Sequence, residues 1–362
     1  MNGVARSALD RMDFEPSPDQ RRLMDLATAF ATGAGATLPA DATDFATEAH
    51  AGIGARGLFS TKPTLDAALV TMTLARASPA LGAVFASGWL FLDALRRYGA
   101  GTTVAGVAAG AEAGLRAGAV VLAHRRREQP EIGASEIGGV LTLIGTSAPS
   151  AFVPIAGDAI VGGRLGSGDG VLACVDLSAR GVSKGPPLPA LGLEGIPRGT
   201  VELRRVEVPA ERILVRGSAA ATAARALDDA RSILWAAVAV GIAGRALDYA
   251  LSHVRGLGKV PQSTEFMVSD LATAYDEAHL VTAQAAFMRD GGEAVDERGA
   301  SAKLLAARSA TQVCHGALSV CGEGGYDDEL RRAYVDARHL ELYDGTEAEQ
   351  IDVIASRMLG ES

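Results

Sequence analysis

The stretch "AARALDDARSILWAAVAVGIAGRALDYALSHV" runs for more than thirty residues without a proline. Its middle, "ILWAAVAVGIAG", is almost wholly apolar, so a helix formed there has to be covered on most sides. The segments that follow supply the cover. "STEFMVSDLATAYDEAHLVTAQAAFMRDG", "ASAKLLAARSATQVCHGALSVCG" and "EAEQIDVIASRML" all have helical spacing, and the connections "RGLGKVP", "GGEAVDERG" and "GEGGYDDE" are compact. Short connections between long helices favour antiparallel neighbours, so residues 217–362 are expected to form a four-helix bundle domain.

The chain before this segment reads differently in two parts. Up to about residue 117 it is rich in Ala and Leu at helical spacing. In "PSPDQRRLMDLATAFA", Asp19 and Gln20 stand near a helix start, and Leu23, Leu26 and Phe30 share one face. Between residues 118 and 216 short β-prone runs such as "GAVVLA", "GGVLTLIG", "GVLACVDL" and "GTVELRRVEVP" alternate with Gly, Pro and Ser. Strands without intervening helices imply an antiparallel sheet domain or a small barrel. In "VELRRVEV" strict alternation places Val201, Leu203, Arg205 and Glu207 on one side. The expected fold class is therefore α+β, mainly α: an N-terminal helical domain (1–117), a middle antiparallel β-domain (118–216) and the C-terminal bundle (217–362).

Charge and composition remove several function classes. A net charge of −9 argues against a general nucleic-acid or anionic-membrane surface. The basic run "HRRRE" is short, and the apolar core of the long helix stops well short of a membrane span. The N-terminal residues lack the apolar run of a secretory signal, so a cytoplasmic location is expected. The cysteines, Cys174, Cys314 and Cys321, read as small buried hydrophobes. The histidines are scattered with no pair at metal-ligand spacing, and no nucleophile elbow or P-loop occurs, so no metal site is expected.

Four segments join polar groups to tight-turn residues. "RGLGK" sets Arg255 beside Gly256 and Gly258, and reads either as a helix C-cap or as an anion-approach loop. "CGEGGYDDE" places Gly322 and Glu323 at a helix end. "IGTSAPSAFVPIAGD" carries Phe152, either a core residue or a ring to stack on a planar cofactor. In "YVDARHLELYDGTEAEQ", Thr346 and Glu349 have the spacing of a capping box, while Asp344 is a carboxylate at a turn beside a helix N-terminus, suited to general-base work.

Taken together, "SAKLLAARSATQVCHGALSVCGEGGYDDELRRAYVDARHLELYDGTEAEQ", "PALGLEGIPRGTVELRRVEVPAERIL" and "RGLGKVPQSTEFMVSDLA" resemble the acyl-CoA dehydrogenase flavoprotein family over nearly the whole chain. The resemblance implies an oxidoreductase acting on CH–CH groups: FAD-dependent α,β-dehydrogenation of an acyl-CoA or acyl-carrier-protein thioester. It implies a homo-oligomer, dimer or tetramer, and an electron-transfer acceptor. Asp344 falls on the family's catalytic glutamate, and Gly345 and Thr346 fall on the turn touching the flavin. Gln350 matches a glutamine four residues beyond Thr346, and Phe152 takes the aromatic position beside the isoalloxazine. Arg255 lies near the FAD-phosphate arginine, and Gly322 belongs to the glycine-rich turn over the cofactor.

This chain also departs from the family. Aspartate reaches about 1.5 Å less far than glutamate. Ser319 replaces a glutamine, Glu323 replaces a glycine that approaches the FAD pyrophosphate, and "LAHRRREQPE" lacks the flavin-binding Thr-Glu-Pro element. These departures support an alternative: a non-catalytic or flavin-poor subunit of a heteromer with a related dehydrogenase, or a flavin-free enzyme that transfers protons on a thioester.

Overall fold

The computed structural model describes residues 12–360 apart from Phe14, Ala34, 36–38, Ala40, 123–131, Ala294 and 324–326. Helices come first: α1 (Pro18–Thr32), α2 (Ala42–Ala55), α3 (Thr64–Ala77), α4 (Pro79–Tyr98) and α5 (Gly101–Glu112). Strands β1 (Gly118–Val121), β2 (Gly133–Ile137), β3 (Val140–Thr146), β4 (Ser150–Ala151) and β5 (Asp158–Leu165) follow. After them come β6 (Gly170–Asp176), β7 (Val182–Lys184), β8 (Arg198–Gly199), β9 (Val201–Val208) and β10 (Ile213–Gly217). The chain then returns to helices α6 (Ser218–Arg255), α7 (Gln262–Asp290), α8 (Asp296–Cys321), α9 (Asp328–Leu342) and α10 (Glu347–Leu359). Among the described residues five helices therefore follow the strands, because the Asp-Ala-Arg segment forms α9 in its own right.

Compactness divides the chain into two units rather than along the three segments of its composition. One unit holds residues 30–62 and 83–231; the other holds the described residues up to 29 with 63–82 and 232–360. The first helical third is shared out between them.

In the first unit the sheet runs β10-β6-β5-β2-β3-β9-β7, with β1 also on β5. It is mixed, not purely antiparallel as expected. β1 pairs in parallel with Asp158–Val161 and β2 with Arg164–Leu165, so the two follow one another along the same edge of β5. The strict alternation expected of β9 also fails. Val201, Leu203, Val206 and Val208 are the buried residues, and Arg205 has φ +56°. The register with β3 slips between Leu143 and Gly145, so this bulge rephases the strand and turns Arg205 and Glu207 outward. Beneath the sheet, Asp158 is fully buried and paired with Arg212 at 2.8 Å and with Arg116.

The second unit is helical. α7 packs along α8, α8 also meets α9 and α10, and α3 lies against α7. A Cβ at Gly316 on α8 would lie 2.3 Å from Leu271 Cδ2, so a larger residue there would force the Leu271 side chain to shift. α3 begins after Pro63, which offers no side-chain cap. Asp290 at the end of α7 supplies one instead: its carboxylate accepts from Thr64 N at 2.7 Å and Leu65 N at 2.8 Å. α6 is long and apolar enough to cross a membrane by composition, contrary to the shorter span read from the sequence; 83% of its most apolar window is buried in the protein, as for a core helix.

Candidate active site

The site is built on the four residues that separate α9 from α10. Tyr343 is the C-cap of α9, and its N–H still donates to His339 O at 3.0 Å. Asp344 then turns into the left-handed region with φ +54°, and Gly345 follows at φ +103°. Left-handed backbone is costly for a residue with a Cβ, though less for aspartate than for most. A Cβ at Gly345 would also lie 2.4 Å from Gln350 Nε2, so that amide would have to move aside. Thr346 is the N-cap of α10 and closes the capping box read from the sequence. Its N–H donates to Glu349 Oε2 at 2.6 Å and its Oγ1 accepts from Glu349 N at 3.4 Å.

Two residues that sequence reasoning missed hold this turn. Lys303 on α8 is 3% exposed, and its ammonium donates to Tyr343 O at 2.6 Å and also to Gly345 O. These two carbonyls bracket Asp344, so the bonds staple its backbone on both sides. Trp235 on α6 donates its indole N–H to Asp344 Oδ2 at 2.7 Å. The same indole meets Tyr343 edge-on at 4.8 Å between centroids, and Tyr343 stacks on His339 at 5.3 Å. The sequence signal for both was a polar head in an otherwise apolar stretch: a lysine in Ala-rich α8 and a tryptophan in the Ala/Val middle of α6.

The turn thus joins Asp344, Gly345, Thr346 and Gln350. A half-buried carboxylate sits near the N-terminus of α10, oriented by an indole, on a backbone fixed by a buried cation. Such an arrangement suits proton transfer. Gln350 is buried, and Thr346 is engaged by Glu349.

Arg255 is exposed at the end of α6. Gly322 caps α8 with φ +65° and nothing within 4 Å of an added Cβ, so its backbone is open. Glu323 beside it is exposed, and Ser319 turns its hydroxyl back to His315 O at 3.1 Å. Residues 324–326 and nearly all of "LAHRRREQPE" lie outside the described residues.

Phe152 does not meet the stacking expectation. Its ring is fully buried, with His50 edge-on at 6.1 Å, and its backbone has φ +68°. Its N–H is held by Pro197 O at 2.9 Å. A ring with no exposed face serves the core of its unit rather than a planar ligand. Among the described residues, no group of three or more His, Cys, Asp or Glu is placed to hold a metal ion.

Comparison with known proteins bears on this geometry. Residues 220–359 match the sequence profile of the acyl-CoA dehydrogenase C-terminal domain. The 3-(aryl)acrylate reductase of Clostridium sporogenes is 35% identical over 195 residues, covering 51% of this chain and 51% of the relative. Human mitochondrial short-chain specific acyl-CoA dehydrogenase is 33% identical over 195 residues, covering 51% of this chain and 47% of the relative. The chain thus spans about half the length of these curated relatives. The fold similarity extends further. Butyryl-CoA dehydrogenase of Megasphaera elsdenii aligns with a TM-score of 0.85 at 20% identity over 96% of this chain and all of the other. A glutaryl-coenzyme A dehydrogenase structure aligns at 0.84 with 21% identity over 97% of this chain and 98% of the other.

Proposed function

We infer from this chain's membership of the acyl-CoA dehydrogenase family that it acts on an acyl thioester, carried by CoA or by an acyl-carrier protein, with Asp344 as the base that takes the α-proton. The observation that carries this reading is the double restraint on Asp344. Trp235 binds one carboxylate oxygen, while Lys303 fixes the carbonyls on either side. A base has to meet its proton at hydrogen-bond distance in a fixed direction, and an aspartate has little reach to spare. Restraint at both backbone and carboxylate suits that demand better than it suits a helix stop, which the capping box alone would provide.

FAD is the cofactor this family implies, and the residues present fit it in part. On the helical side the exposed Arg255 guanidinium and the open backbone of Gly322 are suited to an anionic pyrophosphate. When bound, the flavin would supply the acceptor for the two electrons leaving Cβ. The chain's own contribution is different: Asp344 receives the α-proton, the apolar flank of α6 limits water, and the Lys303 staple keeps the turn from relaxing. A homo-oligomer, an electron-transfer acceptor and a cytoplasmic setting complete the proposal.

A second reading has specific support. Phe152 shows no face, the Thr346 hydroxyl and the Gln350 side chain are committed inside the chain, and Glu323 stands exposed beside Gly322. All four favour a flavin-poor subunit that needs a related dehydrogenase partner. Purification alone and after co-expression with such a partner separates the two. Stoichiometric FAD on the chain purified alone supports the first reading; flavin present only with the partner overturns it.

A further inference from the structure

We propose that Trp235 is a positioning residue for the Asp344 carboxylate, setting the plane in which that carboxylate meets a substrate proton. The proposal rests on the reading of Asp344 as the base. The terminal torsion of an aspartate is broad and nearly two-fold, so nothing in the residue itself fixes which oxygen points where. Lys303 holds the backbone of the turn through Tyr343 O and Gly345 O. The indole holds the carboxylate itself. Its N–H lies 2.7 Å from Oδ2, and Trp235 is only 4% exposed.

The indole cannot swing away cheaply. It sits on the 38-residue α6, is buried among that helix's alanines and valines, and is packed edge-on against Tyr343 at 4.8 Å. Tyr343 is the residue immediately before Asp344 and is itself held through its carbonyl by Lys303. The ring therefore touches the turn twice, once through its edge and once through its N–H, which fixes the carboxylate relative to its own backbone. Tryptophan is a donor only, so it cannot compete with Asp344 for a proton. An aspartate placed this way has its Oδ2 held by a neutral donor in a fixed direction.

The test has two arms. Protein labelled with nitrogen-15 at its two indoles gives one signal for Trp235 and one for Trp89, whose N–H donates to Thr61 O at 2.8 Å. In Asp344→Ala the Trp235 indole proton should move upfield as its charged acceptor disappears, and the Trp89 signal should stay. This arm requires no substitution at Trp235 and no substrate. In the second arm, Trp235→Phe keeps a ring against Tyr343 and removes only the donor. Exchange of the α-hydrogens of butyryl-CoA into deuterated water should slow about ten- to a hundredfold, the scale of a misplaced reactive group, with KM within about twofold.

An indole signal indifferent to Asp344→Ala overturns the proposal, as does an unchanged exchange rate in Trp235→Phe. If the indole responds but the wild-type protein exchanges no α-hydrogen, the Trp235–Asp344 bond stands, the positioning role is overturned, and the base reading is what has failed.

Discussion

Replacing Lys303 by methionine tests how far the candidate site depends on its buried cation. The ammonium is 3% exposed and donates to the carbonyls of Tyr343 and Gly345. Without it, two buried acceptors lose this donor, at about 1–3 kcal/mol each. Against that, methionine fills most of the same volume and spares the desolvation of a buried charge, which recovers part of the loss. The net destabilisation expected is about 2–4 kcal/mol, most of it local to the turn, because the left-handed backbone of Asp344 at φ +54° then lacks its staple. Urea denaturation of wild-type and Lys303→Met protein, followed by far-ultraviolet circular dichroism, measures the difference as a change in midpoint at unchanged slope. Hydrogen exchange at Gly345 and Thr346 locates it. A loss below about 0.5 kcal/mol, the range of an ordinary surface substitution, would refute the claim that these two bonds hold the turn.

Two further outcomes are expected in the other unit. Burial lowers the pKa of His50 from 6.5 to about 4, its backbone hydrogen bond with Gly114 pulling weakly the other way. The unfolded chain therefore binds the extra proton first. This contribution to stability is complete above about pH 6.5 and is lost as pH falls towards 4, amounting to about 3 kcal/mol; His50→Gln should flatten the measured stability over that interval, and an unchanged slope would count against the assignment. Asp158→Ala removes the carboxylate that pairs with the largely buried Arg212 guanidinium, while the half-exposed Arg116 keeps Asp176 and Gly157 O, so it should cost about 3–5 kcal/mol in thermal or chemical denaturation, and a near-neutral result would show that the pair carries little.

The parts of this protein that were legible in its sequence are those whose cause is local. The apolar middle of α6, the Thr346–Glu349 box and the strand runs after Gly118 each follow from periodicity or from a side chain acting within four residues. What was not legible depends on distant partners. Trp235 and Asp344 are 109 residues apart, and Lys303 is 40 from Tyr343, so no window of the sequence contains the site. Phe152 is fully buried with His50 edge-on to it, a contact that spacing does not reveal. The alternation of β9 failed at Arg205, where one bulge with φ +56° inverts the face of every residue after it. The cap of α3 likewise comes from Asp290, 226 residues away.

The central claim is that Asp344 removes an α-proton from an acyl thioester. Its most direct test is the rate at which Asp344→Asn protein exchanges the α-hydrogens of butyryl-CoA into deuterated water, compared with wild type at equal folded concentration. Asparagine keeps the size of the side chain and an oxygen for Trp235 to bind, so the turn should survive while the base is gone. The account predicts exchange by the wild-type protein and a loss of about 10²–10⁴-fold in the variant. Exchange by Asp344→Asn at the wild-type rate would contradict it.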